Sequence, residues 1–248
     1  MEVVHVVLDF EMNPVSREVK EKNREQKHSR HEKMLQSEII EIGAVKLEDP
    51  DCRKTSEFSI LVKPEYNDCI EQNIQHLTGI CTEDVEDAVS YSQAIKSFSD
   101  WIGTEKHARI YSWSTSDPNQ IRCECEKKHV EFPENMTDWV DFQVMFPKAT
   151  GIQIKRQMSL EYAAELAGLD FDDESAHRAL YDAEKTAELV QMVLTGEYKK
   201  VMKNVTGVLK STVETSTATM ADKLGPKYAE IMKRFKGTDG DANGGKEN

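Results

Sequence analysis

The sequence has no long apolar run. Nowhere in its 248 residues does a stretch approach the roughly 18 apolar residues of a membrane-spanning helix, so no membrane partner is expected. The N-terminus lacks the basic segment of a secretory leader, and its short apolar run leads straight into acids. Regular cysteine spacing is missing as well. Cys52, Cys69, Cys81, Cys123 and Cys125 are odd in number and unevenly placed, which fits reduced thiols in a reducing, cytoplasmic compartment. Cys123 and Cys125, even with His107 and His129 nearby, lack both the spacing and the second pair of a zinc site, so none is expected there. Positive charge is also short. Lys and Arg number 32 against 45 Asp and Glu, a net charge of −13. That balance argues against a passive, general nucleic-acid coat, which needs a basic face. An enzyme whose acids gather cations in a cleft remains open.

What is present suits one α/β core beneath a very polar surface, with 38% hydrophobic and 31% charged residues. Residues 3–11 read V-V-H-V-V-L-D-F-E, a β-branched run suited to a strand buried on both faces. Side chains alternate across a strand, so Asp9 and Glu11 share one side and Phe10 takes the other. Two carboxylates there repel each other and are costly to desolvate; a divalent cation between them relieves both penalties. Acid-x-acid is also common by chance in so acidic a chain.

Residues 14–37 carry seven Lys/Arg against four Asp/Glu, a basic insertion leaving directly from the acid pair. It reads either as a solvated loop or as an arm for phosphates. Strands are expected at 38–47 and 57–62, with Asp49-Pro50-Asp51 turning between them. Helices are expected at 68–78, stopping at Gly79, and at 91–102. A strand at 108–113 leads to Asp117 and Pro118, where Asp117 doubles as a candidate N-cap for a helix reaching about residue 130. Residues 139–146 carry both periods and stay unassigned. Helices follow at 159–166 and from Ala179 to about 194. His177 and Asp182 lie five apart, so they converge only if His177 belongs to the loop or first turn. Residues 201–236 form a candidate helical extension for a partner or a second copy of the chain. Residues 237–248 have no apolar pattern and are expected to be disordered.

These motifs occur in a telling order: L-D-F-E at 8–11, E-I-I-E-I-G-A-V at 38–45, L-T-G-I at 77–80, W-S-T-S-D at 113–117 and H-R-A-L-Y-D-A at 177–183. Over about residues 3–195 the chain resembles the DEDDh branch of the 3′→5′ exonucleases, nearest to Eri-type and KapD-like members. The resemblance implies an α/β fold: an RNase H-like mixed β-sheet flanked by helices, in a domain of residues 1–200. It implies hydrolysis at the 3′ end of a single strand, RNA favoured over DNA, with release of nucleoside 5′-monophosphates. Asp9, Glu11 and Asp182 would bind one Mg²⁺ or Mn²⁺, with Asp9 also touching a second ion that Asp117 supports. His177 would be the general base, and Met12, Leu77 and Thr78 would hold the terminal nucleotide. Two ions roughly 3.5–4 Å apart would activate water and clamp both oxygens of an in-line displacement. A DNA-directed exonuclease and a silent RNA- or protein-binding module remain as alternatives. Ser116 stands where many relatives carry an aromatic residue that can stack on a base, so hold on the substrate would be weaker or would pass to Trp113 or the basic insertion.

Overall fold

The computed structural model describes residues 3–17, 19–20, 35–104, 107–152 and 157–200. Most of the basic insertion, the 201–236 extension and the 237–248 tail lie outside the described residues. Among the described residues five strands are present: β1 (Val3–Pro14), β2 (Ser37–Glu48), β3 (Arg53–Leu61), β4 (His107–Ser112) and β5 (Asp138–Asp141). Among the described residues seven α-helices accompany them: α1 (Gln72–Thr78), α2 (Thr82–Glu86), α3 (Tyr91–Ile102), α4 (Ser116–Lys127), α5 (Phe142–Thr150), α6 (Leu160–Ala167) and α7 (Ala179–Thr195).

The strands form one mixed sheet in the order β3-β2-β1-β4-β5. β1 runs antiparallel to β2 and parallel to β4. Its central place explains its composition. Val4, Val6, Leu8 and Phe10 face a core closed by Tyr91, Ala94, Ile95 and Phe98 of α3. Val7 faces the opposite core, which β4, α5, α6 and α7 complete. Each fully buried Val or Leu of β1 contributes roughly 1.5–3 kcal/mol, and both faces draw on the same strand. The alternation places Asp9 and Glu11 on the α7 side and Phe10 on the α3 side.

Four boundaries differ from expectation. β1 extends to Pro14 because it keeps pairing with β2 as far as Ser37, and Val15 N–H still donates to the Gln36 carbonyl at 2.9 Å. β3 starts at Arg53, through a register shift opposite Lys46 and Leu47. The helix expected at 68–78 starts only at Gln72. Asn13 holds the preceding turns, donating to the Cys69 carbonyl at 3.0 Å and accepting from Glu71 N–H at 2.9 Å. The ambiguous 139–146 stretch is strand and helix joined without a loop: Asp141 ends β5 and caps α5, accepting from Val144 N–H at 3.0 Å.

Candidate active site

β2 brings the remote helix to the acid pair. Gly43 on β2 lies directly beneath the start of α7, where a Cβ would sit 2.1 Å from the Ala179 carbonyl carbon and the Leu180 nitrogen. Only glycine allows that approach. Two residues away, Glu41 is opposite Glu11 in the strand register and 1% exposed. Its carboxylate accepts from Arg178 through Nη2 at 2.8 Å and Nε at 3.2 Å, and from Ala179 N–H at 3.0 Å. Arg178, the residue before α7, makes no side-chain cap of its own. Glu41 therefore supplies the missing cap from across the sheet, with its negative charge at the positive end of the helix.

Seated this way, α7 carries Asp182 to β1. Asp9, Glu11 and Asp182 each offer a carboxylate oxygen within 4.8 Å of the others. Asp182 Oδ2 accepts from the His177 N–H at 3.2 Å, while its Oδ1 is buried with no hydrogen-bond partner among the described residues. His177 belongs to the loop and has φ 64°, a left-handed backbone uncommon for a residue with a side chain. That turn folds the chain back so that the five-residue spacing closes. The His177 side chain is exposed at the rim.

Asp117 reaches the cluster from α4. The helix begins at Ser116, with Thr115 at its N-cap position, so Asp117 lies in the first turn and is not the cap. It is 3% exposed. α4 is docked by Glu124, which accepts from Ile39 N–H at 3.0 Å and pairs with the buried Lys128 at 2.9 Å.

The electrostatics describe a pocket of acids short of cations. Burial, then repulsion by Asp117, Glu11 and Asp182, raises Asp9 well above the ordinary carboxylate range. Burial and the charges of Asp182 and Glu41 push Glu11 up to about 9, against a smaller opposing pull from Arg178. Burial pushes Asp117 up to about 7, although its own N–H and the Ser116 hydroxyl favour the ionised form. Burial likewise raises Asp182 to about 6, partly offset by His177. Such a set suits a hard divalent cation, which oxygen ligands prefer. Asp182 Oδ1, buried and without a partner, is the atom such an ion would satisfy.

The expected nucleotide contacts are placed less directly. Met12 is half-buried and packs against the α3-side core. Leu77 is 49% exposed, whereas the Thr78 hydroxyl is engaged, donating to the Ile74 carbonyl and accepting from Ile80 N–H. Asn13 ties this region to β1 just past the acid pair. Trp113 is no free stacking platform: its ring packs on Phe142 and Phe146 and its Nε1 donates to the Met158 carbonyl at 3.1 Å.

Glu41, Gly43 and Arg178 are the residues that motif reading passed over. Glu41 and Gly43 stand inside the E-I-I-E-I-G-A-V stretch, and the available signal was an acid sharing one strand face with a glycine.

A mixed sheet with carboxylates from its central strand and from helices packed on it defines an RNase H-like nuclease fold. The pattern of the RNase T exonuclease family matches residues 6–190, and the chain belongs to that family, in its DEDDh 3′→5′ exonuclease branch. Ribonuclease T of Vibrio vulnificus is 30% identical over 166 residues, spanning 61% of this chain and 73% of that protein. ERI1 exoribonuclease 2 of Xenopus laevis is 25% identical over 190 residues, spanning 68% of this chain but 27% of the relative. The crystallographic nuclease domain of 3′hExo, bound to rAMP, superposes with a TM-score of 0.63 at 21% identity, covering 78% of this chain and 92% of that one. The chain spans between about a quarter and a half of several other relatives, 31% of one and 47% of another. The family uses divalent metal ions. No helix among the described residues is long and apolar enough to cross a membrane.

Proposed function

We propose that this chain is a metal-dependent 3′→5′ exonuclease that prefers single-stranded RNA ends and releases nucleoside 5′-monophosphates. The observation that carries the reading is the meeting of Asp9 and Glu11 with Asp182, from a helix some 170 residues away, around an unpartnered carboxylate oxygen. Asp9, Glu11 and Asp182 hold one ion, and Asp117 with Asp9 supports a second. All donors are carboxylate oxygens, which favours Mg²⁺ or Mn²⁺ over softer metals. When bound, the ions supply Lewis-acid activation of water and neutralise charge on the scissile phosphate.

The chain's own groups do the rest. His177 stands at the rim, next to the carboxylates and exposed, where an imidazole can take a proton from the attacking water and pass it on. Asp182 orients it through the backbone N–H. Leu77 offers an exposed apolar surface for a terminal base, and the basic insertion attracts the phosphate backbone. Residues 1–200 form the catalytic domain in this reading, with residues 201–236 as an appendage for a partner or a second copy.

The test is release of mononucleotides from 3′-labelled RNA and DNA oligomers with Mg²⁺ or Mn²⁺. Asp9→Ala is expected to lower the rate about a thousandfold. An unchanged rate removes the proposed site. Binding of the oligomer without product at saturating Mn²⁺ favours the silent module instead, and equal or faster cleavage of DNA removes the preference for RNA.

A further inference from the structure

At the other end of the β1 face that carries the carboxylates, three unlike donors converge. His5 lies four residues before Asp9, hence ~13 Å away at ~3.3 Å per residue. Its Nε2 stands 3.7 Å from Asp49 Oδ1 in the β2–β3 turn. Cys52 Sγ approaches the same oxygen at 3.9 Å, and all three ligand atoms lie within 4.8 Å of one another. The His5–Asp49 separation is too long for a hydrogen bond. It is near the edge of a metal tetrahedron, where N, O and S ligands at ordinary Zn²⁺ distances stand ~3.3–3.7 Å apart.

The surroundings fit a ligand site. His5 is 7% exposed, and its other ring nitrogen is engaged by the Tyr111 hydroxyl at 3.0 Å, the kind of outer contact that orients a ligating imidazole. Burial lowers the pKa of His5, whereas burial and the nearby Asp49 and Asp51 carboxylates raise that of Cys52, so the thiol gives up its proton only to a bound cation. Cys52 is buried in the left-handed backbone region at φ 50°, a sparsely occupied state that clusters at ligand clamps.

We propose that His5, Asp49 and Cys52 form a second cation site, selective for a thiophilic ion such as Zn²⁺, with its fourth position open to water. On binding, the Cys52 thiol gives its proton to solvent and the thiolate joins imidazole and carboxylate. The ion then clips the β2–β3 turn to the start of β1. That turn also touches α7, through Gln191 Nε2 and the Asp51 carbonyl at 3.4 Å, so the clip braces the sheet end remote from the acids. Nitrogen and sulfur donors separate this site chemically from the all-oxygen cluster. The assignment is independent of the nuclease reading.

The experiment titrates Co²⁺ into the full chain, stripped of metal and supplied with excess Mg²⁺ to fill the carboxylate cluster. One equivalent is expected to produce a sulfur-to-cobalt charge-transfer absorption that Zn²⁺ abolishes. The band is expected to vanish in Cys52→Ser and persist in Cys69→Ser, which alters an exposed cysteine. Asp49→Asn, on the exposed turn, is expected to weaken binding about tenfold or more without disturbing the core. Zn²⁺ at a hundredfold excess over its wild-type Kd is expected to raise Tm by about 5–10 °C in the wild type and by about half that or less in Asp49→Asn. No band, a band that survives Cys52→Ser, or an equal Zn²⁺ shift in Asp49→Asn overturns the proposal.

Discussion

Three donors converge on the Glu41 carboxylate, one from the backbone of α7 and two from Arg178. Charge, more than size, is what Arg178 requires there. Glu41→Gln preserves the volume and an acceptor for Ala179 N–H but removes the charged partner, so α7 is expected to sit less firmly. Asp182 rides on that helix, and the proposed metal affinity or activity should fall about 10–100-fold. A Mn²⁺ titration checks this, since a role confined to folding would lower stability and leave the affinity alone. His177 is expected to behave in the opposite way. His177→Ala should lower kcat about 10²–10⁴-fold with Mn²⁺ affinity retained, as read from single-turnover rates and the same titration. The two variants also mark what the sequence discloses. Asp9 and Glu11 are recognisable as a pair because a strand's two-residue period needs no tertiary information. His177 and Asp182 follow from motif order. Glu41 does not, because an acid in a buried strand has no visible partner until the register places it opposite Glu11.

Elements show the same division between local and remote information. β1, α3, α6 and α7 are legible because the apolar spacing, the Ser90 and Ser159 caps and the glycine stops agree. The β1–β2 pairing is not, since it contains a bulge: Glu11 pairs with Glu41 but Met12 with Ile39, leaving Ile40 as the extra residue. That residue turns its side chain into a separate small cluster with Ile70, Ile80 and Val85. Helices α1 and α2 dock there, beside the acid pair, and no alternating pattern announces it. Gly43 tests the closest contact between elements. Gly43→Ala drives a methyl into backbone atoms that have no rotamer to yield, so α7 must shift. A loss of about 1–3 kcal/mol or more is expected from chemical denaturation. Exonuclease activity should fall beyond what the stability loss accounts for, because the shift carries Asp182 away from β1.

Across the whole molecule, the buried acids couple stability to pH and to metal. Asp9, Glu11, Asp117 and Asp182 all keep their protons to higher pH in the folded protein than in an unfolded chain, where carboxylates titrate near 4. The metal-free native state therefore binds more protons than the unfolded state. Its stabilisation from these groups is complete below about pH 4. It is lost as pH rises through about 6 at Asp182, about 7 at Asp117 and about 9 at Glu11. Thermal melts in chelator should accordingly show Tm falling from about pH 5 to about pH 9. A divalent ion takes the place of those protons, and each proton it displaces raises the logarithm of its affinity by about one per pH unit. The Tm gap between Mn²⁺ and chelator should thus widen over the same interval and shrink at every pH in Asp182→Asn. A gap that stays constant with pH would mean that the cation binds elsewhere and displaces no proton from the four acids.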